Sequence, residues 1–432
     1  MAGDSSGAGA DGQHDGPAFS NELEGGTLTK EQPPFFSKIS FATHIYGLQS
    51  LILPAMWFRG WKEYFYPPDG GPNIVKTYEC RPYLPIRIFF PQTYDQTSPQ
   101  TLPTLFSIHG GGFCIGSSAD DDDWNRHFAD SQGALVIALN YSKAPRSPFP
   151  TGLRDLEALV LAALADESLP IDRSPAAAAS GGRAARTALL GFSAGGNLAL
   201  ALAQLPSIRS HPLAPPAAAL SVYGALDLSV PVASKLATRP FKPSLGPPRG
   251  SAADALRSLA PTFDWSYIPY GHDLRDPLLS PEFAPRASLP PYVCLVAAEL
   301  DMLAHESWRL ACRLAGEGTG DPGRRGRPDA RSGDVAWRVC GREEGEGATA
   351  AGAGAGWGQL EGTGDERFAF EERWEGGGVK WLLVPDVVHG FDNPNFRGLM
   401  GGGERTVRDA EMKTEAYVAE IGRWLREVVW AL

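Results

Sequence analysis

The stretch RTALLGFSAGGNLALALA, residues 186–203, constrains this chain more than any other. An apolar run, Thr187 to Leu190, meets Gly191, Phe192, Ser193, Ala194, Gly195 and Gly196, and a second apolar run follows. The second run is apolar on nearly every side of a 3.6-residue period, so it reads as a buried helix. A chain that turns from buried strand to buried helix this tightly needs small residues at the corner, because backbone and helix approach closely. Gly191-x-Ser193-x-Gly195 therefore predicts a sharp turn that raises the serine hydroxyl at the carboxyl end of a sheet. The N–H of Ala194 then lies at a helix N-terminus, where negative charge is favoured. The plain alternative is a glycine-rich connection without chemistry. The strand before it and the helix after it supply the context that the functional reading demands.

The rest of the chain keeps the same rhythm. LPTLFSIHG, ALVIALNY, AALSVYG, YVCLVAAEL and VKWLLVP are apolar runs typical of strands buried on both faces. DDDDWNRHFADSQG, LRDLEALVLAALADE and residues 404–429 read as helices between and after them. IVKTY and LPIRIFFP read as two strands joined by a turn. Alternating strand and helix predicts an α/β fold, a mostly parallel sheet with helices on both faces. Residues 1–34 are small, polar and acidic and read as a disordered tail. Residues 35–72 form an N-terminal cap segment, and 73–432 the main domain. Two stretches interrupt that domain: a proline-rich cap insertion at about 228–275, and a glycine-rich, low-complexity insertion at about 315–377.

Charge and cysteine content exclude some functions. The formal net charge of −11 argues against nucleic acid as a partner. Five scattered cysteines without a CxxC pair suggest reduced thiols in a cytosolic chain. The first residues lack the basic start and apolar core of a secretory signal, so a cytoplasmic location is expected. The apolar stretch at 45–58 is too short to span a bilayer. It reads as a buried helix or cap element, with peripheral lipid contact the alternative. Asp120 to Asp123 would point in different directions on a helix start and read as a solvated helix start; no metal site is expected.

Three further segments complete a chemistry for Ser193. SIHGGGFCIGS follows an apolar strand, and its glycines can turn N–H groups inward as acyl transfer needs for an oxyanion. Gly111 and Gly112 are the candidate donors, with Ala194 as the third, and His109 reads as a structural histidine of that loop. A serine hydroxyl needs a base, and His389, which follows the last buried strand, is placed to reach the same sheet edge. A buried carboxylate should orient that imidazole. Asp301, just past a strand end, is preferred to Glu299, Asp386 and Asp392, because the expected chain order is serine, carboxylate, histidine. Phe113, Phe192, Phe263, Trp265 and Tyr267 are candidates to line a pocket, with packing of the cap the alternative for the last three.

HGGGF (109–113), GFSAGG (191–196), the Asp301 segment and HGF (389–391) resemble the hormone-sensitive-lipase-like family of α/β-hydrolases. NYSKAPRSPFPTGLRDLEA and DPLLSP are similar to further segments of that family. Phe192 stands where the family usually carries Asp, and Ser142, Lys143 and Arg146 replace Arg, Leu and Glu. The resemblance implies an α/β-hydrolase fold with a helical cap and no cofactor. It also implies hydrolysis of short- to medium-chain acyl esters through an acyl-enzyme, with a small-molecule ester as partner. The competing expectations are a non-catalytic small-molecule receptor on the same fold, and an acyltransferase or amide hydrolase using the same three residues.

Overall fold

The computed structural model describes residues 28–173, 186–247, 249–320, 338–339, 360–361, 369–399 and 403–432. The chain enters through a long helix, α1 (Phe35–Phe65), and a hairpin of β1 (Ile74–Tyr78) and β2 (Arg81–Phe89). Strand and helix then alternate: β3 (Thr104–Ile108), α2 (Asp122–Gln132), β4 (Leu135–Leu139), α3 (Thr151–Ala165), β5 (Thr187–Phe192), α4 (Ala194–Gln204), the short α5 (Pro206–Arg209) and β6 (Ala218–Val222). Two short helices, α6 (Val232–Thr238) and α7 (Ala260–Tyr267), precede β7 (Tyr292–Ala298) and α8 (Ala304–Thr319). The two-residue strands β8 (Arg338–Val339) and β9 (Leu360–Glu361) form a separate ribbon. The chain closes with β10 (Ala369–Trp374), β11 (Gly377–Val384), α9 (Pro394–Leu399) and α10 (Glu404–Trp424).

Nine strands form one sheet in the order β1-β2-β4-β3-β5-β6-β7-β11-β10. Neighbours from β4 through β11 run parallel, and the outer strands β1, β2 and β10 pair antiparallel. Every residue of β3, β4, β5 and β6 is buried, which is why these segments read as unbroken apolar runs. Burying a side chain such as Leu135, Ile137 or Leu139 contributes about 1.5–3 kcal/mol relative to leaving it in water.

Helices cover both faces. On β11, Lys380 pairs with Glu420 of α10, while its neighbour Trp381 packs on Trp308 of α8. Successive strand residues point to opposite faces, so α8 and α10 lie on opposite sides of the sheet. On the α10 side, Trp124 of α2 donates to the Tyr417 hydroxyl at 2.7 Å. On the other side α4 touches α3, and α8 packs on β7, β10 and β11. The cap helices α1 and α7 pack on each other. Because β3, β5, β7 and β11 are parallel, the residues that follow them all emerge at one edge of the sheet.

The structure departs from the sequence reading in several places. Residues 45–58 belong to one helix of 31 residues with Pro54 inside it, and Ile45 is its one buried residue, so the stretch is not a buried helix. Of Asp120 to Asp123, only Asp123 is exposed as a solvated helix start would be. Arg59 pairs with Asp120 at 2.6 Å, Arg87 chelates Asp122, and one oxygen of Asp121 is buried without a partner. The partners sit far away in sequence, so no local pattern announced them. At the edges of the stretch read as a 315–377 insertion, α8 runs on to Thr319 and β10 begins at Ala369. The rest of that stretch, apart from β8 and β9, and residues 1–27 of the expected tail lie outside the described residues.

Candidate active site

The turn after β5 is fixed by crowding. A Cβ at Gly191 would overlap the Gly195 carbonyl, and a Cβ at Gly195 would overlap the Ile108 carbonyl of β3. Only glycine fits at either place, so both glycines of the pattern are steric requirements of the corner they form. Between them Ser193 takes φ 53° and ψ −118°, a conformation that costs a non-glycine residue about 1–3 kcal/mol. Its N–H donates to the Val222 carbonyl of β6 at 2.9 Å, which holds the corner in place. The hydroxyl is thereby raised above the sheet edge.

His389 follows β11, and its Nε2 lies 2.9 Å from Ser193 Oγ. Its Nδ1 lies 2.7 Å from Asp301 Oδ2. A carboxylate only accepts, so Nδ1 carries the proton and Nε2 is left to accept from the serine hydroxyl. Asp301 is 1% exposed, and its other oxygen accepts from the Leu303 N–H at 2.9 Å. Burial by itself lowers the His389 imidazole. The charge and hydrogen bond of Asp301, with weaker help from Asp254 and Asp392, outweigh burial and hold it above its ordinary value. The other carboxylates considered are engaged elsewhere: Glu299 and Asp386 share Lys242 at 2.8 and 2.6 Å, and Asp392 accepts from the hydroxyls of Tyr223 and Tyr417.

The glycine loop after β3 borders the serine. Among the described residues, the N–H groups of Gly111, Gly112 and Ala194 make no hydrogen bond. His109 does not face Ser193. Its ring stacks on Tyr141 at 4.5 Å and 9°, its Nδ1 lies 2.7 Å from the Gly110 carbonyl, and Lys143 Nζ lies 3.1 Å from Nε2. Burial, and then the Lys143 charge, push His109 down to about 3, so it is neutral and serves to brace the loop.

A cavity of about 750 Å³ opens over Ser193. Phe113 and Phe192 line it from the sheet side, and Phe263 of α7, with Leu51 and Met56 of α1, from the cap side. Trp265 and Tyr267 do not line it. The Tyr267 ring lies flat against Phe113 at 3.7 Å, with Phe149 at its edge, and is buried behind the pocket wall. Trp265, two residues beyond Phe263, turns to the far side of α7, against Phe41 and the Tyr270 hydroxyl. Sequence reasoning missed Tyr223, whose ring meets the His389 imidazole at 4.7 Å and 60°. It follows β6 with φ 39°, and no motif marks it. Lys143, which contacts the loop histidine, was noted only as a departure from a pattern. Among the described residues, no group of His, Cys, Asp and Glu could hold a metal ion.

A mostly parallel sheet with a capped serine corner, and with the following strands carrying acid and histidine, defines the class: an α/β-hydrolase fold. Comparison with known proteins narrows it. A family model described as alpha/beta hydrolase fold matches residues 105–320. An ethyl acetate hydrolase from Pseudomonas putida is 31% identical over 252 residues, 57% of this chain and 70% of that protein. An acetyl-hydrolase from Streptomyces hygroscopicus is 32% identical over 45% of this chain and 56% of that protein. A bovine arylacetamide deacetylase is 34% identical over 32% of this chain and 33% of that protein. The chain thus matches about a third to a little over half of the length of the last two. An esterase structure from Pyrobaculum calidifontis superposes with a TM-score of 0.52 at 21% identity, over 83% of this chain and 85% of that one. At that identity it speaks for the fold alone. The chain belongs to the hormone-sensitive-lipase-like family of α/β-hydrolases.

Proposed function

We propose that this protein is a serine carboxylic ester hydrolase acting on small acyl esters. The observation that carries the reading is the hydrogen-bonded line from Ser193 Oγ through the His389 imidazole to the buried Asp301 carboxylate. The unpaired N–H groups of Gly111, Gly112 and Ala194 beside it, and relatives named as acetyl-hydrolase and ethyl acetate hydrolase, support the same chemistry.

Each residue then has a role set by its chemistry. His389 takes the Ser193 proton as Oγ attacks the ester carbonyl. The charge that develops on the carbonyl oxygen is met by the three N–H groups, which need no reorganisation. Asp301 stabilises the imidazolium. His389 then returns the proton to the leaving alcohol, and the acyl group remains on Ser193 until His389 activates a water for the second half of the reaction. A mainly apolar cavity suits acyl chains of short to medium length. In this reading residues 35–72 and 228–275 act as the cap, and residues 73–432 as the hydrolase domain with its insertions. Among the described residues no helix is long and apolar enough to cross a membrane.

The test is hydrolysis of p-nitrophenyl esters from acetate to laurate by the protein and by Ser193→Ala. The reading expects turnover that falls with chain length and a loss of about 10⁴-fold or more in the variant. Equal rates for the two proteins would remove it.

A further inference from the structure

The long helix α1 carries large apolar side chains on its outer as well as its inner face. Its inward residues, Phe41, Ile45, Leu48, Ile52, Met56, Arg59 and Glu63, recur at three- and four-residue spacing and face the protein. The opposite arc should be polar on a helix that ends at water. It carries exposed Ser40, Thr43 and Ser50 in its first half, and large apolar side chains all along it. Phe35, Ile39, Tyr46, Leu53, Trp57 and Tyr64 are spaced four, seven, seven, four and seven apart, so they form one stripe along the helix. All six are exposed, up to 72% at Trp57 and 81% at Tyr64. Phe36, Phe58, Trp61 and Phe65 widen the stripe. At 1.5 Å per residue the helix is about 46 Å long, far beyond the scattered single apolar residues that ordinary surfaces carry.

Charge on the helix follows the same division. None of its charged side chains lies on the outer stripe. Arg59 is drawn inward by Asp120 at 2.6 Å, and Glu63, the helix's one acid, by Arg87 at 3.1 Å. Lys38 lies over the Tyr270 ring of the cap at 5.2 Å. Lys62 alone reaches water freely, at the margin of the stripe. In a chain of net charge −11, this face offers aromatic rings, no carboxylate and a marginal cation. Trp, Tyr and Phe with the single lysine Lys62 beside them match the boundary between acyl chains and headgroups, where amphipathic rings sit and anionic headgroups attract lysine. The same helix lines the cavity with Leu51, Ile52, Ala55 and Met56. Leu51 is 77% exposed as well, so the apolar face runs on into the wall over Ser193.

We propose that α1 docks this protein on a phospholipid surface, with its outer stripe in the interface and the cavity beside it. An apolar ester dissolved in that surface then passes along one helix from lipid to pocket. Docking is read by binding alone, so its failure and a failure of the hydrolase reading are separate results.

The experiment is co-sedimentation of the full chain with phosphatidylcholine vesicles, and with vesicles that also contain phosphatidylserine. It is repeated with Leu53→Ser/Trp57→Ser/Tyr64→Ser and with Lys62→Glu. Binding to both vesicle types is expected, stronger to the anionic ones. The triple variant should lower the partition constant at least tenfold while leaving hydrolysis of soluble p-nitrophenyl acetate unchanged, and Lys62→Glu should lose the anionic preference. Absence of binding to both vesicle types would overturn the proposal, as would equal binding by the triple variant. A dimer in lipid-free sedimentation velocity that the triple variant dissociates would also overturn it, because a second copy would then be the occupant of the stripe.

Discussion

The two walls of the cavity are held by different means. On the sheet side backbone meets backbone: a Cβ at Gly195 would overlap the main-chain oxygen of Ile108, and nothing flexible there can give way. On the cap side side chains meet side chains. At Gly112, a Cβ would meet the Phe263 ring of α7, which can move by rotating. The sheet wall is continuous with strands buried along their whole length, whereas α1 leaves most of its rings in water. Close main-chain approach dictates residue type one position at a time. Apolar packing asks only for suitable size and tolerates many solutions. The sheet wall therefore determines where reacting groups stand, and the cap wall determines what reaches them.

Substitutions on the two walls should differ accordingly. The largest effect is expected from Asp301→Asn, which removes the charge behind His389 while keeping its shape. A loss of about 10⁴-fold in kcat is expected for p-nitrophenyl butyrate. The acid limb of the pH–rate profile should also move. In the proposed mechanism His389 acts as base only when deprotonated, and Asp301 holds it above its ordinary value, so activity should fall as pH drops through that raised value. In Asp301→Asn the limb should shift to lower pH. Next is Gly195→Ala, expected to cost about 4 kcal/mol or more in urea unfolding because only backbone surrounds the new methyl. A loss below about 1 kcal/mol would erase the contrast between the walls.

Smaller effects are expected from the cap. Lys235 of α6 lines the cavity and pairs with buried Glu306 at 2.6 Å. Lys235→Met removes that acid's cation and leaves it only the Leu226 N–H, at an expected cost of about 3 kcal/mol near neutral pH. Burial already pushes the Glu306 carboxyl up to about 7. In the variant the carboxyl protonates as pH falls, so the penalty should shrink toward the ordinary carboxylate range; urea titrations at two pH values measure this. The smallest effect is expected from Phe263→Ala: a rise in KM of about threefold to tenfold for the butyrate ester, with kcat within about twofold. A collapse of kcat instead would mean that the cap ring positions the oxyanion loop.

What could be read from the sequence follows the same division. Gly191, Ser193, Gly195 and the glycine loop stood out because main-chain crowding leaves few residue choices. That Asp301 and His389 meet beside Ser193 could be expected because parallel strands bring successive strand ends to one edge. The rhythm of buried runs gave the sheet, except for β10, whose half-exposed residues carry no such signal. The length of α1 was hidden by Pro54 and by large apolar side chains on its outer face, which break the usual amphipathic pattern. Trp265 and Tyr267 are aromatic neighbours of Phe263, but a helix turns by 100° per residue, so Trp265 falls on the far side of α7, while Tyr267, one turn on and on the same face as Phe263, is covered by the Phe113 ring. Pairings such as Arg87 with Asp122, or Tyr223 beside His389, join distant parts of the chain and leave no local mark.

One reagent interrogates the serine directly. A fluorophosphonate reacts when an activated Oγ attacks phosphorus and fluoride departs, leaving a stable phosphonate ester on that serine. Mass spectrometry of the digested protein should place a single adduct on the peptide bearing Ser193. The labelling rate should fall at least about a thousandfold in His389→Ala. An adduct on a different serine, or an undiminished rate without the imidazole, would contradict the proposed alignment of hydroxyl, ring and carboxylate.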